Sequence, residues 1–135
     1  MSTWLVTGAS RGIGLELCRQ LAARGDTVIA ACRKATPALT ATACRVVEGV
    51  DVTDPDAVAR LDAALGDTRL DVLVNNAGIL SVESLGRLDF EAMRRQFEVN
   101  ALGPLRVTEA LLPRLGAGSK IVIVTSRMGS IADNG

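Results

Sequence analysis

Trp4-Leu5-Val6 is a short apolar run that ends at Thr7 and passes at once into Gly8-Ala9-Ser10-Arg11-Gly12-Ile13-Gly14. An amphipathic stretch follows, with Ile13, Leu17, Leu21 and Ala22 at helical spacing and Arg24-Gly25 at its end. Strand, glycine turn and helix start in this order form a dinucleotide-binding βα unit. The turn is tight, and its backbone must lie close to a pyrophosphate, so it needs residues without a Cβ. The helix start then offers free N–H groups and a positive dipole end to the phosphates. Gly8, Ser10, Arg11, Gly12, Ile13 and Gly14 are therefore candidate cofactor-binding residues.

Two other motifs overlap these positions. Gly8-Ala9-Ser10-Arg11-Gly12 fits G-x-S-x-G, the nucleophile elbow of hydrolases. The chain has no histidine to serve as base for Ser10, which removes that reading. A P-loop needs Gly-Lys-Ser/Thr after its glycines, whereas Gly14 is followed by Leu15-Glu16.

Thr27 to Cys32 is the second apolar run, so strand, helix and strand form a parallel, right-handed βαβ unit. After that second strand, an enzyme that binds NAD places an acid to hold the ribose hydroxyls. This chain has Arg33-Lys34 there. A guanidinium fork suits a 2′-phosphate, so Arg33, with Arg11 on the other side, favours NADP(H) over NAD(H). The competing reading of Arg33 and Lys34 is a solvated pair of loop charges.

Thr36 to Ala43 reads as an irregular connection or a poor short helix, and Arg45 to Val50 as the third strand. Asp51 and Val52 fall at its carboxyl end, where open α/β sheets place ligands. Asp51 is suited to accept from an adenine amino group with Val52 against the ring, or equally to shape a strand-end turn. Asp54-Pro55 starts a helix with an N-cap and a first-turn proline; Val58, Leu61, Ala64 and Leu65 form its apolar face. Val72-Leu73-Val74 is the fourth strand and stops at Asn75-Asn76-Ala77-Gly78. Small residues there let backbone lie close to a cofactor, and Asn75 is positioned to tie neighbouring strands by bonding main-chain groups.

Asp89 caps a further helix in which Phe90, Met93 and Phe97 share one face, expected to be core. Asn100 and Gly103-Pro104 interrupt it, and proline there costs a hydrogen bond and distorts the axis. A carbonyl freed beside an asparagine is a place to hold a water. Gly116-Ala117-Gly118 reads as a turn. Lys120 to Thr125 is a fifth strand, apolar enough to be buried on both faces, and it ends in Ser126. The chain then runs through Gly129, Ile131 and Asn134 as loop.

Composition sets the remaining limits. The 135 residues are 48% hydrophobic with zero formal net charge and pI ≈ 6.2, which fits one globular domain over residues 1–135. That balance argues against a nucleic-acid or membrane-surface partner. No apolar run reaches the roughly 18 residues of a membrane span, and no signal peptide is evident. Cys18, Cys32 and Cys44 lack metal-ligand spacing, so no metal site is expected. They read as reduced thiols of a cytoplasmic protein.

Taken together, these motifs resemble those of the short-chain dehydrogenase/reductase family across essentially the whole chain. Thr7-Gly8-Ala9-Ser10-Arg11-Gly12-Ile13-Gly14 matches the family's TGxxxGxG turn at every fixed position. Asp51 matches its adenine-side acid, and Asn75-Asn76-Ala77-Gly78 its NNAG motif. Asn100 matches the helix asparagine and Ser126 the serine of its catalytic tetrad; Arg33 stands where the family favours NADPH. The resemblance implies an α/β fold: a Rossmann-type, doubly wound parallel sheet with five strands in the order 3-2-1-4-5. It implies hydride transfer between a nicotinamide and a small-molecule carbonyl or alcohol, in a protein that assembles as a homo-oligomer, dimer or tetramer. Asn75, Ala77, Gly78 and Val52 join the cofactor set, with Ser126 orienting the substrate oxygen and Asn100 holding a relay water. The family's Tyr-x-x-x-Lys is expected beyond Ser126, and this sequence contains no tyrosine. The chain is thus expected to be the N-terminal portion of a longer protein, without the last strands and helices, and inactive by itself. The alternative is a non-catalytic NADP(H)-binding sensor or scaffold.

Overall fold

In the computed structural model, residues 1–132 are described; Asn134 lies outside them. Strands β1 (Thr3–Thr7), β2 (Thr27–Ala31), β3 (Arg45–Val47), β4 (Leu70–Asn75) and β5 (Leu115–Ile123) form one sheet. Their order is β3-β2-β1-β4-β5, as expected, and every pairing is parallel. The connecting helices are α1 (Gly12–Arg24), α2 (Pro37–Thr40), α3 (Pro55–Ala64), α4 (Phe90–Phe97) and α5 (Gly103–Leu111).

The central strand shows why the sheet needs two covers. Successive side chains of a strand point to opposite faces. Leu5 and Val6 are both fully buried, so apolar material is required on both sides. Leu5 packs with Ile29, Leu61, Leu73, Val107 and Leu111, which brings α3 and α5 onto one face. Val6 packs with Cys18, Leu21, Val28 and Val74, which brings α1 onto the other. Each fully buried Leu or Val contributes about 1.5–3 kcal/mol, so these two clusters dominate the fold's stability.

β1 pairs with β2 through Leu5 opposite Ile29 and with β4 through Leu5 opposite Leu73. The chain winds outward in opposite directions from this strand. The carboxyl ends of β1 and β4 therefore border the crevice where open α/β sheets bind ligands.

Between α4 and α5 the helix widens into a π turn, Glu98–Leu102. Pro104 has no N–H to return to the Asn100 carbonyl four residues earlier, and the helix changes geometry at that point. The sequence-predicted distortion therefore has a definite form.

Four expectations need correction. Phe90, Met93 and Phe97 are not core: Phe90 is 59% and Phe97 60% exposed, and α4 buries only Ala92. The periodicity was genuine, but it marks a face that nothing among the described residues covers. Strand β5 starts at Leu115 rather than Lys120, because the Gly116-containing segment joins the ladder through an irregular register between Leu70 and Val72. Nor is β5 buried on both faces, since Ile121 to Val124 are exposed and β5 is last in the sheet order. Ile13, read as part of the apolar face of α1, is also exposed; Gly14, Cys18 and Leu21 form the buried face.

Candidate functional site

A cleft of ≈ 340 Å³ opens at the carboxyl ends of the strands. Gly8, Ser10, Arg11, Gly12 and Ile13 line it from the β1–α1 turn, Arg33 from the end of β2, Asp51 and Val52 from beyond β3, and Ala77 and Gly78 from beyond β4. Ten of the sequence-predicted residues thus converge from four separate loops. Gly14, Asn75, Asn100 and Ser126 do not line the cleft.

The glycine turn is held by sterics and by one buried hydroxyl. Gly8 has φ 62 and Gly12 φ 59, left-handed values that disfavour a side chain. A Cβ on Gly8 would also lie 2.8 Å from the Ala77 Cα, whereas one on Gly12 would meet nothing within 4 Å. Gly14 serves packing instead: a Cβ there would be 2.3 Å from the Gly8 carbonyl oxygen and 2.5 Å from Asn76 Nδ2. Buried Thr7 Oγ1 accepts from the backbone N–H groups of Asn76 and Ala77, each at 3.0 Å. The ends of β1 and β4 are thereby locked together.

The side chain that ties the strand ends through main-chain groups is Asn76, not Asn75. Asn76 Nδ2 donates to the Thr7 carbonyl at 3.0 Å and the Gly8 carbonyl at 3.1 Å. Asn75 instead points toward α5, where its Nδ2 donates to Thr108 Oγ1 at 3.1 Å. Its buried Oδ1 has no hydrogen-bond partner.

Asn100 is held against the cleft's mouth. Its Oδ1 accepts from Ile79 N at 2.9 Å and its Nδ2 donates to Ile79 O at 2.7 Å. Both functions of the side chain are spent on the main chain of one residue in the loop after β4. Ser126 lies beyond β5; Val124 N there donates to Asn75 O, and Ser126 Oγ accepts from Met128 N at 3.1 Å.

The electrostatics of the cleft are asymmetric. Arg11 and Arg33 form no ion pair among the described residues, although both line the cleft. Asp51 Oδ1 accepts from Thr53 N at 2.9 Å and Thr53 Oγ1 at 2.8 Å. These two bonds, backbone first, hold the Asp51 carboxyl below the usual carboxylate range. Partial burial opposes them, and the charges of Arg33 and Arg106 add to them. Arg106 is missing from the sequence-derived set. Its guanidinium donates to the Val52 carbonyl at 2.6 Å and pairs with Glu98 at 3.0 Å, so α5 fixes the wall that Val52 contributes.

Cys32, Val50, Asn76, Ile79 and Val99 also line the cleft and were not singled out. Each of the five neighbours a residue in the sequence-derived set, Val99 standing directly before Asn100, so adjacency is the available signal. Among the described residues no cluster of His, Cys, Asp and Glu is suited to a metal, and no helix is long and apolar enough to cross a membrane.

The same architecture occurs in known proteins. A family model described as short chain dehydrogenase matches residues 2–134. A 1-hydroxy-2-glutathionyl-2-methyl-3-butene dehydrogenase from a Rhodococcus species is 46% identical, over 99% of this chain and 60% of that protein. The carbonyl reductase from Pseudomonas aeruginosa PAO1 in complex with NADP superimposes with TM-score 0.89 at 33% identity, over 98% of this chain and 64% of that one. The NADPH-bound carbonyl reductase from chicken fatty liver gives TM-score 0.85 at 28% identity, over 98% of this chain and 62% of that one. The chain thus spans less than two thirds of the length of these relatives. With a family model matched almost end to end, and with the sheet order and glycine turn described above, the chain belongs to the short-chain dehydrogenase family.

Proposed function

We propose that the cleft binds NADP(H), and that the complete protein is an NADP(H)-dependent oxidoreductase acting on a small-molecule carbonyl or alcohol. The observation that carries this reading is the pair Arg11 and Arg33, two cations that have no ion-pair partner among the described residues and line one cleft from two loops. A 2′-phosphate dianion is the part of the cofactor that suits them. The cradle also fits the group, because Gly8 and Gly12 line the cleft with left-handed backbone and no side chain. NADP complexes among the family's solved structures support the same reading.

In this reading the Gly8–Gly14 turn holds the pyrophosphate, Arg11 and Arg33 read the 2′-phosphate, and Asp51 accepts from the adenine amino group through the oxygen that Thr53 leaves free. Val52, Ala77 and Gly78 pack against the cofactor. When bound, the nicotinamide supplies the hydride chemistry. Ser126 donates to the substrate oxygen once its side chain turns from Met128, and Asn100, through the carbonyl beside the π turn, holds a water on the proton path. Gly14 and Asn75 act from behind the cleft, by close packing and by fixing the end of β4.

The sequence contains no tyrosine to exchange a proton with the substrate. Turnover by the 135-residue chain alone is therefore negligible, and its measurable property is cofactor binding. We place the protein in the cytoplasm and the complete enzyme in a homo-oligomer, dimer or tetramer, as the resemblance implies. The test is calorimetric titration with NADPH and NADH. The chain should bind NADPH about tenfold more tightly, and Arg33→Asp should reverse that order by removing a charge-assisted bond and adding repulsion. Equal affinity before and after the change would remove Arg33 from cofactor choice. A chain that binds NADPH and also reduces carbonyls at ordinary enzyme rates would refute the predicted inactivity.

A further inference from the structure

We infer that Thr36 is a positioning residue for cofactor specificity: it sets the spacing between the two arginine-bearing loops and so governs discrimination for the 2′-phosphate. The inference rests on the NADP(H) reading of the cleft. Thr36 lies outside the cleft, on the chain that leaves Arg33 and Lys34. Its hydroxyl donates to the Ser10 carbonyl at 2.7 Å, across 26 residues of sequence. The same oxygen accepts from Leu39 N at 3.3 Å as the N-cap of α2.

The position of that bond gives it its effect. The Ser10 carbonyl belongs to the peptide from which Arg11 departs, and Arg11 itself is extended with no side-chain cap bond. Arg33 is anchored on the other side. Its carbonyl accepts from Gly49 N at 2.9 Å, and Glu48 Oε2 accepts from Ala35 N at 3.1 Å. Upstream of both arginines, Ala9 N donates to the Ala31 carbonyl at 3.2 Å. The Thr36 bond adds a second tether, past Arg33 on one loop and at the peptide that leads into Arg11 on the other. Without it, the Ala9–Ala31 bond is left to hold the glycine turn to the Arg33 loop at that point. Two guanidinium groups facing one cleft repel each other, and the loops that carry them are free to part unless a contact holds them. A phosphate dianion bridging both is sensitive to that spacing. A ribose hydroxyl in the same place is not, because it needs neither charge.

Removing the Thr36 hydroxyl should therefore weaken NADPH binding while leaving NADH binding in place. A residue that only supported the local fold would weaken both. The test is calorimetric titration of the 135-residue chain with NADPH and with NADH, for wild type, Thr36→Val, Thr36→Gly and Thr36→Ser. Glycine is tolerated at an N-cap, so Thr36→Gly removes the hydroxyl at little cost to α2 and serves if Thr36→Val does not fold. Circular dichroism confirms that each variant compared is folded. The Val and Gly variants should lower the NADPH-over-NADH affinity ratio about fivefold, the size of one lost hydrogen bond. NADH affinity should hold and Thr36→Ser should retain the wild-type ratio. In an Arg11→Ala background the effect of Thr36→Gly should disappear, since the spacing has then lost one reader. An unchanged ratio in a folded variant, or an equal loss for both cofactors, overturns the role of Thr36 alone. A wild-type chain that binds the two cofactors equally overturns the NADP(H) reading, and this inference with it.

Discussion

Gly14→Ala sets two well-measured effects against each other, and the structure decides between them. Alanine is the better helix former, worth up to about 1 kcal/mol over glycine in a helix interior. Position 14 lies in the first turn of α1, so the gain there is smaller. Against it stands the space available. The added methyl would lie 2.3 Å from the Gly8 carbonyl oxygen, where ordinary contact begins at 3.4 Å. Something must therefore move by about 1 Å, and overpacking of this kind costs about 1–3 kcal/mol. The second atom in the way, Asn76 Nδ2 at 2.5 Å, is the donor that bonds the Thr7 and Gly8 carbonyls. Displacing it gives up two bonds worth about 1 kcal/mol each, partly recovered by relaxation. The net expectation is a loss of about 2 kcal/mol. Urea unfolding followed by circular dichroism should show a lower midpoint at unchanged slope. An unchanged or raised midpoint would show that α1 does not pack on the end of β1 as closely as described, and that helix propensity governs position 14.

Asp51 should lose its contribution to stability in acid. Its carboxyl is held below the usual range by the Thr53 backbone N–H and then by the Thr53 hydroxyl, so the contribution is complete above the unfolded value of about 3.9 and disappears as pH falls through the folded value. Asp51→Asn should flatten the acid limb of the stability profile, and Thr53→Val should move the Asp51 carboxyl titration upward by NMR; no movement would remove the Thr53 hydroxyl as a cause. Cys18, whose thiol is pushed up to about 12 by burial first and then by the neighbouring Cys44 and Cys32, should resist iodoacetamide at pH 8, and peptide mapping should find partly exposed Cys44 modified first. Phe97→Ser should change unfolding free energy by less than about 1 kcal/mol, against about 3–5 for a core phenylalanine truncated to alanine; a core-sized loss would mean that α4 is packed after all.

Much of this architecture is legible in the residues because local and global signals agree there. The β1–α1 turn needs glycines for left-handed backbone at Gly8 and Gly12 and for packing at Gly14, and all three stand in one motif. Four of the five strands announce themselves as apolar runs bounded by turn residues. The failures are of another kind. Periodicity identifies an apolar face but not its cover, so it predicts burial for Phe90, Phe97 and β5, whereas the described residues leave the two phenylalanines and Ile121 to Val124 exposed. The choice between Asn75 and Asn76 depends on which way the end of β4 turns, since adjacent residues point in opposite directions. Arg106 and Thr36 act across 54 and 26 residues, distances over which spacing along the chain carries no signal. The cleft itself was traceable, because its lining residues lie at strand carboxyl ends, which topology places together.

The most direct test of the account is a crystal structure of the 135-residue chain grown with NADPH. The account predicts the 2′-phosphate between the guanidinium groups of Arg11 and Arg33, the adenine amino group on Asp51, and the pyrophosphate over the turn from Gly8 to Gly14. A cofactor bound elsewhere, or one bound in the cleft with its 2′-phosphate away from both arginines, would contradict it.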